Sequence, residues 1–184
     1  MTDPGGVYAY PEEVTHQLPQ NDRAAYRALA DELNANGTDV LFVQHEFGIY
    51  GGPSGAWLID CLEALKMPVV TTLHTILETP NEEQRHVMRA LIRRSSTLVT
   101  MAQKGAQILK TVYGVPDSQI SVVPHGAPSR PLRDTADFKA ALNLSGRKTL
   151  TTFGLLSPNK GIETIIAALP ALRITHPDVI YLVI

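Results

Sequence analysis

Six short apolar runs punctuate the chain: 39–44 (DVLFVQ), 68–74 (PVVTTLH), 97–101 (TLVTM), 120–124 (ISVVP), 149–154 (TLTTFG) and 179–184 (VIYLVI). They are rich in Val, Leu, Ile and Thr and do not alternate strictly with polar residues. Strands of a parallel sheet, buried on both faces, read this way. A further strand is expected near 14–18. Segments with helical spacing lie between the runs. The first spans 21–37, with Asn21 as N-cap and Gly37 as stop. The second, 54–66, puts Leu58, Ile59, Leu62 and Leu65 on one face. The third, 81–94, opens Asn-Glu-Glu-Gln and closes on Arg93-Arg94, so its charges suit the dipole at both ends. Segments 103–112 and 161–175 come next, the last carrying Ile162, Ile165, Ile166 and Leu169, with a kink or early end expected near Pro170. Regular strand–helix alternation predicts an α/β fold built on a doubly wound parallel sheet.

The rhythm breaks between 127 and 146, where Pro128, Arg130, Pro131 and Arg133 precede a short helix-like piece at 136–142. It restarts after Gly146. The expected organisation is a first domain over 1–127, a linker over 128–146, and the first strand–helix–strand of a second sheet domain over 147–184. Two strands do not make a sheet with a core of its own. The opening ~20 residues also lack a clear first strand and glycine turn, so the chain reads as an incomplete piece of a larger protein.

Composition narrows the function classes. A net charge of −2 from 16 basic and 18 acidic residues gives no basic excess for nucleic acid. Cys61 stands alone, which excludes a disulfide framework and points to the cytoplasm. No apolar run approaches the ~18–20 residues that span a bilayer. The start MTDPGGVYAY lacks the basic and apolar stretches of a secretion signal. Peripheral membrane contact stays open.

In open parallel sheets ligands bind beyond the carboxyl ends of the strands, so the candidate chemistry lies just past each run. The first run leads into Gln44-His45-Glu46-Phe47-Gly48-Ile49-Tyr50-Gly51-Gly52. Its glycines would let backbone amides approach a ligand; equally, it is a turn-rich connection whose His45 and Glu46 cap helices. At the end of the second stands His74, placed for hydrogen bonding or proton transfer, or else a satisfied core histidine. Pro124-His125-Gly126 is either a structural turn or a ligand contact at the domain junction. The fifth run ends in Gly154-Leu155-Leu156-Ser157-Pro158-Asn159-Lys160-Gly161, ahead of an amphipathic segment. A glycine at a strand end and a lysine at a helix start suit a phosphate, the alternative being a solvated charge. Neither the P-loop spacing nor the Gly-x-Gly-x-x-Gly fingerprint is present.

Together these pieces resemble the family 4 (group 1) glycosyltransferases. That family's second domain opens with Gly-Arg-Leu-x-x-x-Lys-Gly after a strand, matched by residues 154–161; its Pro-Asn-Gly turn is matched by Pro124-His125-Gly126, and its strand-end His by His74. The QHEFGIYGG loop looks like a subgroup marker on the acceptor side. The resemblance implies a GT-B fold of two Rossmann-like domains and sugar transfer from a nucleotide-sugar donor with retention. A glycan, lipid or small molecule would accept the sugar, without metal or cofactor. It implies catalytic roles for His74 and Lys160, donor contacts at Gly154, Gly161, His125 and Gly126, and an acceptor-side loop of His45, Glu46, Gly51 and Gly52. Three departures stand out. Leu155 replaces the family's Arg, the first glycine loop has no match, and the Glu-x7-Glu element would lie past Ile184. Transfer by this chain alone is therefore not expected. The competing readings are a non-catalytic nucleotide- or phosphate-binding module and a GT-B isomerase or phosphorylase.

Overall fold

A computed structural model describes residues 1–2 and 5–184. The chain forms two compact units, Met1–Ala127 and Pro128–Ile184.

The first unit is a parallel sheet of β1 (Leu41–His45), β2 (Val69–Leu73), β3 (Thr97–Thr100) and β4 (Ile120–Val122), in the spatial order β1-β2-β3-β4. Helices α1 (Arg23–Ala35), α2 (Trp57–Ala64), α3 (Glu82–Arg94) and α4 (Gln103–Tyr113) precede and join the strands. A parallel pair needs such a crossover between its strands. Cα partners run Val43 to Thr71, Thr71 to Leu98 and Leu98 to Ile120. Val43, Thr71 and Leu98 are all buried. Around them close Tyr26 of α1, Leu58 and Leu62 of α2, Val87, Met88 and Leu91 of α3, and Leu109 of α4. Burying side chains of that size stabilises by roughly 1.5–3 kcal/mol each.

Several expectations shift. No strand forms over 14–18; that stretch is almost wholly exposed, and an isolated bridge between Thr2 and Pro19 stands nearby. Asp22, not Asn21, caps α1, accepting from the amides of Ala24 and Ala25. The helix expected over 54–66 divides into a 3₁₀ turn, Pro53–Gly55, and α2, because Ser54 (φ 52°) and Gly55 (φ 81°) are left-handed. Asn81 makes the full capping box with Gln84 at the start of α3. Arg94 serves a different helix from its own. Its guanidinium donates to the carbonyls of Leu62 (2.6 Å), Leu65 (2.7 Å) and Met67 (3.0 Å), satisfying the open end of α2 and the chain leaving it.

In the second unit, α5 (Thr135–Ala141) leads to β5 (Lys148–Thr152), α6 (Ile162–Thr175) and β6 (Val179–Val183). β5 and β6 pair in parallel, Lys148 with Val179 through Thr152 with Val183. α6 continues past Pro170, where an early end or kink was expected, so the early end does not occur. Pro170 is exposed, so water can replace the hydrogen bond that its missing N–H removes. Among the described residues, α6 buries none of its side chains; Leu144 and Val179 are the buried hydrophobics here.

Truncating Arg94 removes a donor from three carbonyls, of which, among the described residues, only that of Leu62 keeps a second one, the Leu65 amide. Arg94→Ala is expected to lower the unfolding free energy by about 1.5–3 kcal/mol, the range for hydrogen bonds to a charged group, measured by urea titration. Arg93→Ala, whose partner Glu63 is 3.9 Å away in solvent, is expected to change it by less than ~1 kcal/mol.

Candidate functional site

The carboxyl edge of the four-stranded sheet is assembled by the ladder itself. β1 and β2 pair in register, Gln44 opposite Thr72 and His45 opposite Leu73, and the His74 amide extends the ladder by donating to the His45 carbonyl. Side chains alternate across a strand. Gln44, Thr72 and His74 therefore share one face, while Val43, His45, Thr71 and Leu73 turn into the core. On the shared face the His74 Nε2 lies 2.8 Å from the Gln44 Oε1. The His125 ring, just past β4, has its centroid 6.2 Å from that of His74, tilted by 36°. Both imidazoles are exposed, as is Gly126. Next to them, the Thr75 hydroxyl donates to Glu46 at 2.8 Å, tying the loop after β1 to the one after β2.

The glycine loop turns out to be packed on itself. The Gly51 amide donates to the Tyr26 hydroxyl (2.8 Å), which donates onward to the Gln20 carbonyl (3.0 Å). A Cβ on Gly51 would stand 2.0 Å from that carbonyl oxygen and 2.4 Å from the Trp57 ring; on Gly52, at φ 79°, it would meet Trp57 at 2.5 Å. These glycines are explained by the approach of Trp57 and Gln20, and the Gly51 amide is engaged within the protein. The loop still borders a cavity of about 420 Å³, and a second of about 390 Å³ lies by the turn that follows it. One is lined by Gln20, Phe47, Tyr50, Ser54 and Trp57, the other by Pro53, Ala56, Glu82, Glu83 and His86.

His45 does not belong to the loop. It ends β1, carries no exposed surface, and lies stacked on Tyr50 (6.1 Å) and edge-on to Phe47 (5.0 Å). Neither ring nitrogen has a hydrogen-bond partner among the described residues. Burial drives its pKa down to about 4, with Glu46 opposing and His74 adding to the shift. The ring is neutral and acts as a floor beneath the loop, with no surface of its own open to a ligand. Burial likewise raises Tyr50 to about 12, and its hydroxyl donates to the Gln44 carbonyl at 2.9 Å.

In the second unit, Gly154 lies just past β5 at φ 130° and donates its amide to the Ile184 carbonyl. A Cβ there would come within 3.7 Å of the Lys160 Cε and 3.8 Å of its Nζ, so the lysine folds back over the strand end. Lys160 is not in the helix. It closes a 3₁₀ turn, Pro158–Lys160, and Gly161 at φ 63° swings the chain into α6 while its carbonyl accepts from Thr164 and Ile165. Ser157 and Asn159 are hydrogen-bonded to each other, while the ammonium stays exposed. Among the described residues, no group of three or more His, Cys, Asp or Glu is placed to hold a metal ion, and no helix is long and apolar enough to cross a membrane.

The sequence profile described as Glycosyltransferase Family 4 matches residues 5–129, more than half of the chain. The chain belongs to Glycosyltransferase Family 4. No curated protein matches it. Membership makes the α/β unit a Rossmann-like glycosyltransferase domain and implies a sugar donor and a sugar acceptor as substrates in general. Within the matched span of this family 4 chain, the structure gathers His74 and His125 at one edge, with Glu46 on the adjoining loop. Gly51 and Gly52 pack against Trp57 and also line the cavity beside the loop. Gln44, Thr75 and Tyr50 were not singled out as candidates from the sequence. Parity along β1 and β2 was the available signal for Gln44, because it shares the face of His74 once the two strands are paired.

Below pH 6.5 an unfolded chain protonates His45, while the fold keeps the ring neutral down to about 4. The unfolded state binds more protons across that window, so stability present above pH 6.5 is lost progressively as the pH falls towards 4. Thermal melting from pH 7 to 4 is expected to show this decline, and His45→Leu, which removes an unpaired buried imidazole, is expected to flatten it.

Proposed function

We propose that this family 4 protein takes part in sugar transfer from a nucleotide-sugar donor to a hydroxyl acceptor, with retention of anomeric configuration. The observation that carries the reading is the meeting of Gln44, His74 and His125, from three strand ends, on the open carboxyl edge of a family 4 sheet. In this reading the bond between the anomeric carbon and the donor phosphate breaks, a bond to the acceptor oxygen forms, and the acceptor proton leaves with the diphosphate. His74 and His125 contact sugar hydroxyls. The loop carrying Glu46, with the cavity beside Tyr50 and Trp57, receives the acceptor, whose apolar ring faces would lie against the aromatic side chains.

Lys160 supports the donor half of the proposal. An exposed ammonium folded over a strand-end glycine is suited to a diphosphate leaving group, where charge grows as the bond breaks. Gly154 keeps the strand end free of a side chain there, and Gly161 begins the helix whose amides assist. Beyond donor and acceptor, this reading calls for no cofactor.

Calorimetric titration of the chain with uridine and guanosine diphosphates is expected to show binding that Lys160→Ala weakens at least tenfold. In an enzyme carrying this chain, His74→Ala or Lys160→Ala is expected to lower kcat/KM for sugar transfer by about 10²-fold, the scale for removing one group that stabilises the transition state. No heat at millimolar nucleotide, or full activity in both variants, would remove the reading.

A further inference from the structure

We propose that Gln44 is the positioning residue for His74, holding its imidazole in the tautomer that carries the proton on Nε2 and leaves Nδ1 as an acceptor. The strand ladder creates the contact. Gln44 is paired with Thr72, and His74 stands two residues beyond Thr72 on the same face, so the pairing of β1 with β2 delivers the amide to the imidazole. The contact is 2.8 Å from the ring Nε2 to Oε1 of the amide. A carbonyl oxygen has no proton to give, so the ring nitrogen donates. The orientation of the amide is set by its other end, where the Gln44 Nε2 faces the Thr72 hydroxyl at 3.5 Å. The backbone of Gln44 is held as well, its carbonyl accepting from the Tyr50 hydroxyl at 2.9 Å. Beside the buried His45, whose carbonyl accepts from the His74 amide, two further titratable groups stand near His74 among the described residues. They are the His125 ring, 6.2 Å away, and Glu46, which accepts from Thr75.

The tautomer decides what His74 can recognise. With Nε2–H committed to Gln44, the neutral ring offers one lone pair, at Nδ1. A lone pair accepts from a hydroxyl and repels an unprotonated phosphate oxygen. His74 is thereby matched to a sugar hydroxyl, and phosphate recognition falls to cationic groups elsewhere. The choice of a sugar hydroxyl rests on the transferase reading; the tautomer does not.

The test is two-bond ¹H–¹⁵N correlation spectroscopy on the chain labelled at histidine, at about pH 8, where imidazoles are neutral. The His74 signals are those missing from His74→Asn. The wild-type chain is expected to show a pyrrole-type Nε2 and a pyridine-type Nδ1 at His74. Gln44→Leu, at an exposed position, is expected to give shifts averaged between tautomers. Gln44→Glu, whose carboxylate also accepts from Nε2–H, is expected to restore the wild-type pattern. A proton on Nδ1 in the wild-type chain, as a reversed amide would impose, overturns the proposal, as do shifts unchanged in Gln44→Leu. The spectra are recorded without substrate. The expected pattern without nucleotide binding retires the transferase reading and keeps the positioning role, while nucleotide binding with Nδ1 protonated does the reverse.

Discussion

The in-register pairing of β1 with β2 is the constraint on which the carboxyl edge depends. A parallel ladder fixes both the level and the face of every side chain along it, and a slip of one residue would exchange the faces. Here the buried positions Val43, His45, Thr71 and Leu73 leave no freedom in that choice, because the opposite register would put Gln44, Thr72 and His74 into the core. The core that holds the sheet together thus also sets Gln44 against His74. The last ladder bond, from the His74 amide to the His45 carbonyl, carries the order one residue beyond the strand.

In the loop after β1, the glycines that line a cavity also answer a packing demand. Gly51 and Gly52 are required because Trp57 and the Gln20 carbonyl stand where a side chain would be, and the Tyr26 hydroxyl links the Gly51 amide to that carbonyl. The loop is consequently braced from below by α1 and α2. What it exposes is a rim of aromatic rings beside polar side chains, with Glu46 tied across to Thr75. His45 is the cost of this arrangement. A buried imidazole without partners among the described residues is unfavourable, and it is tolerated because the stacking rings of Tyr50 and Phe47 accommodate it as a neutral aromatic.

The second unit holds its features with much less packing. β5 and β6 pair over five residues and α6 spans their crossover, yet the helix keeps all its side chains at least partly exposed. Leu155, Leu156 and Ile174 are well exposed. The local geometry at the end of β5 is nonetheless specific. Lys160 folds over Gly154 through a 3₁₀ turn closed by a left-handed glycine, an arrangement dictated by sequence-local terms: Pro158 at the turn, Gly161 at its exit.

The strands, the crossover helices, the parallel class of the sheet and the strand-end positions of His74, His125 and Lys160 were all legible in the amino-acid sequence. Each of these comes from the period of apolar residues and from caps such as Asn81–Gln84, which act within a few residues of chain. Periodicity misplaced the start of α1, divided nothing at Ser54, and put a strand at 14–18, because an exposed cap, a left-handed residue and a missing partner strand leave no mark on it. Folding was needed to seal His45 under Tyr50, to set Trp57 against the loop glycines, to bring Arg94 to the end of α2, and to lay Gln44 against His74. The Arg94 and Gln44 contacts join residues about 27–32 apart in the chain, and the other two, though five or six apart, depend on how the loop folds over the core, which no apolar period encodes.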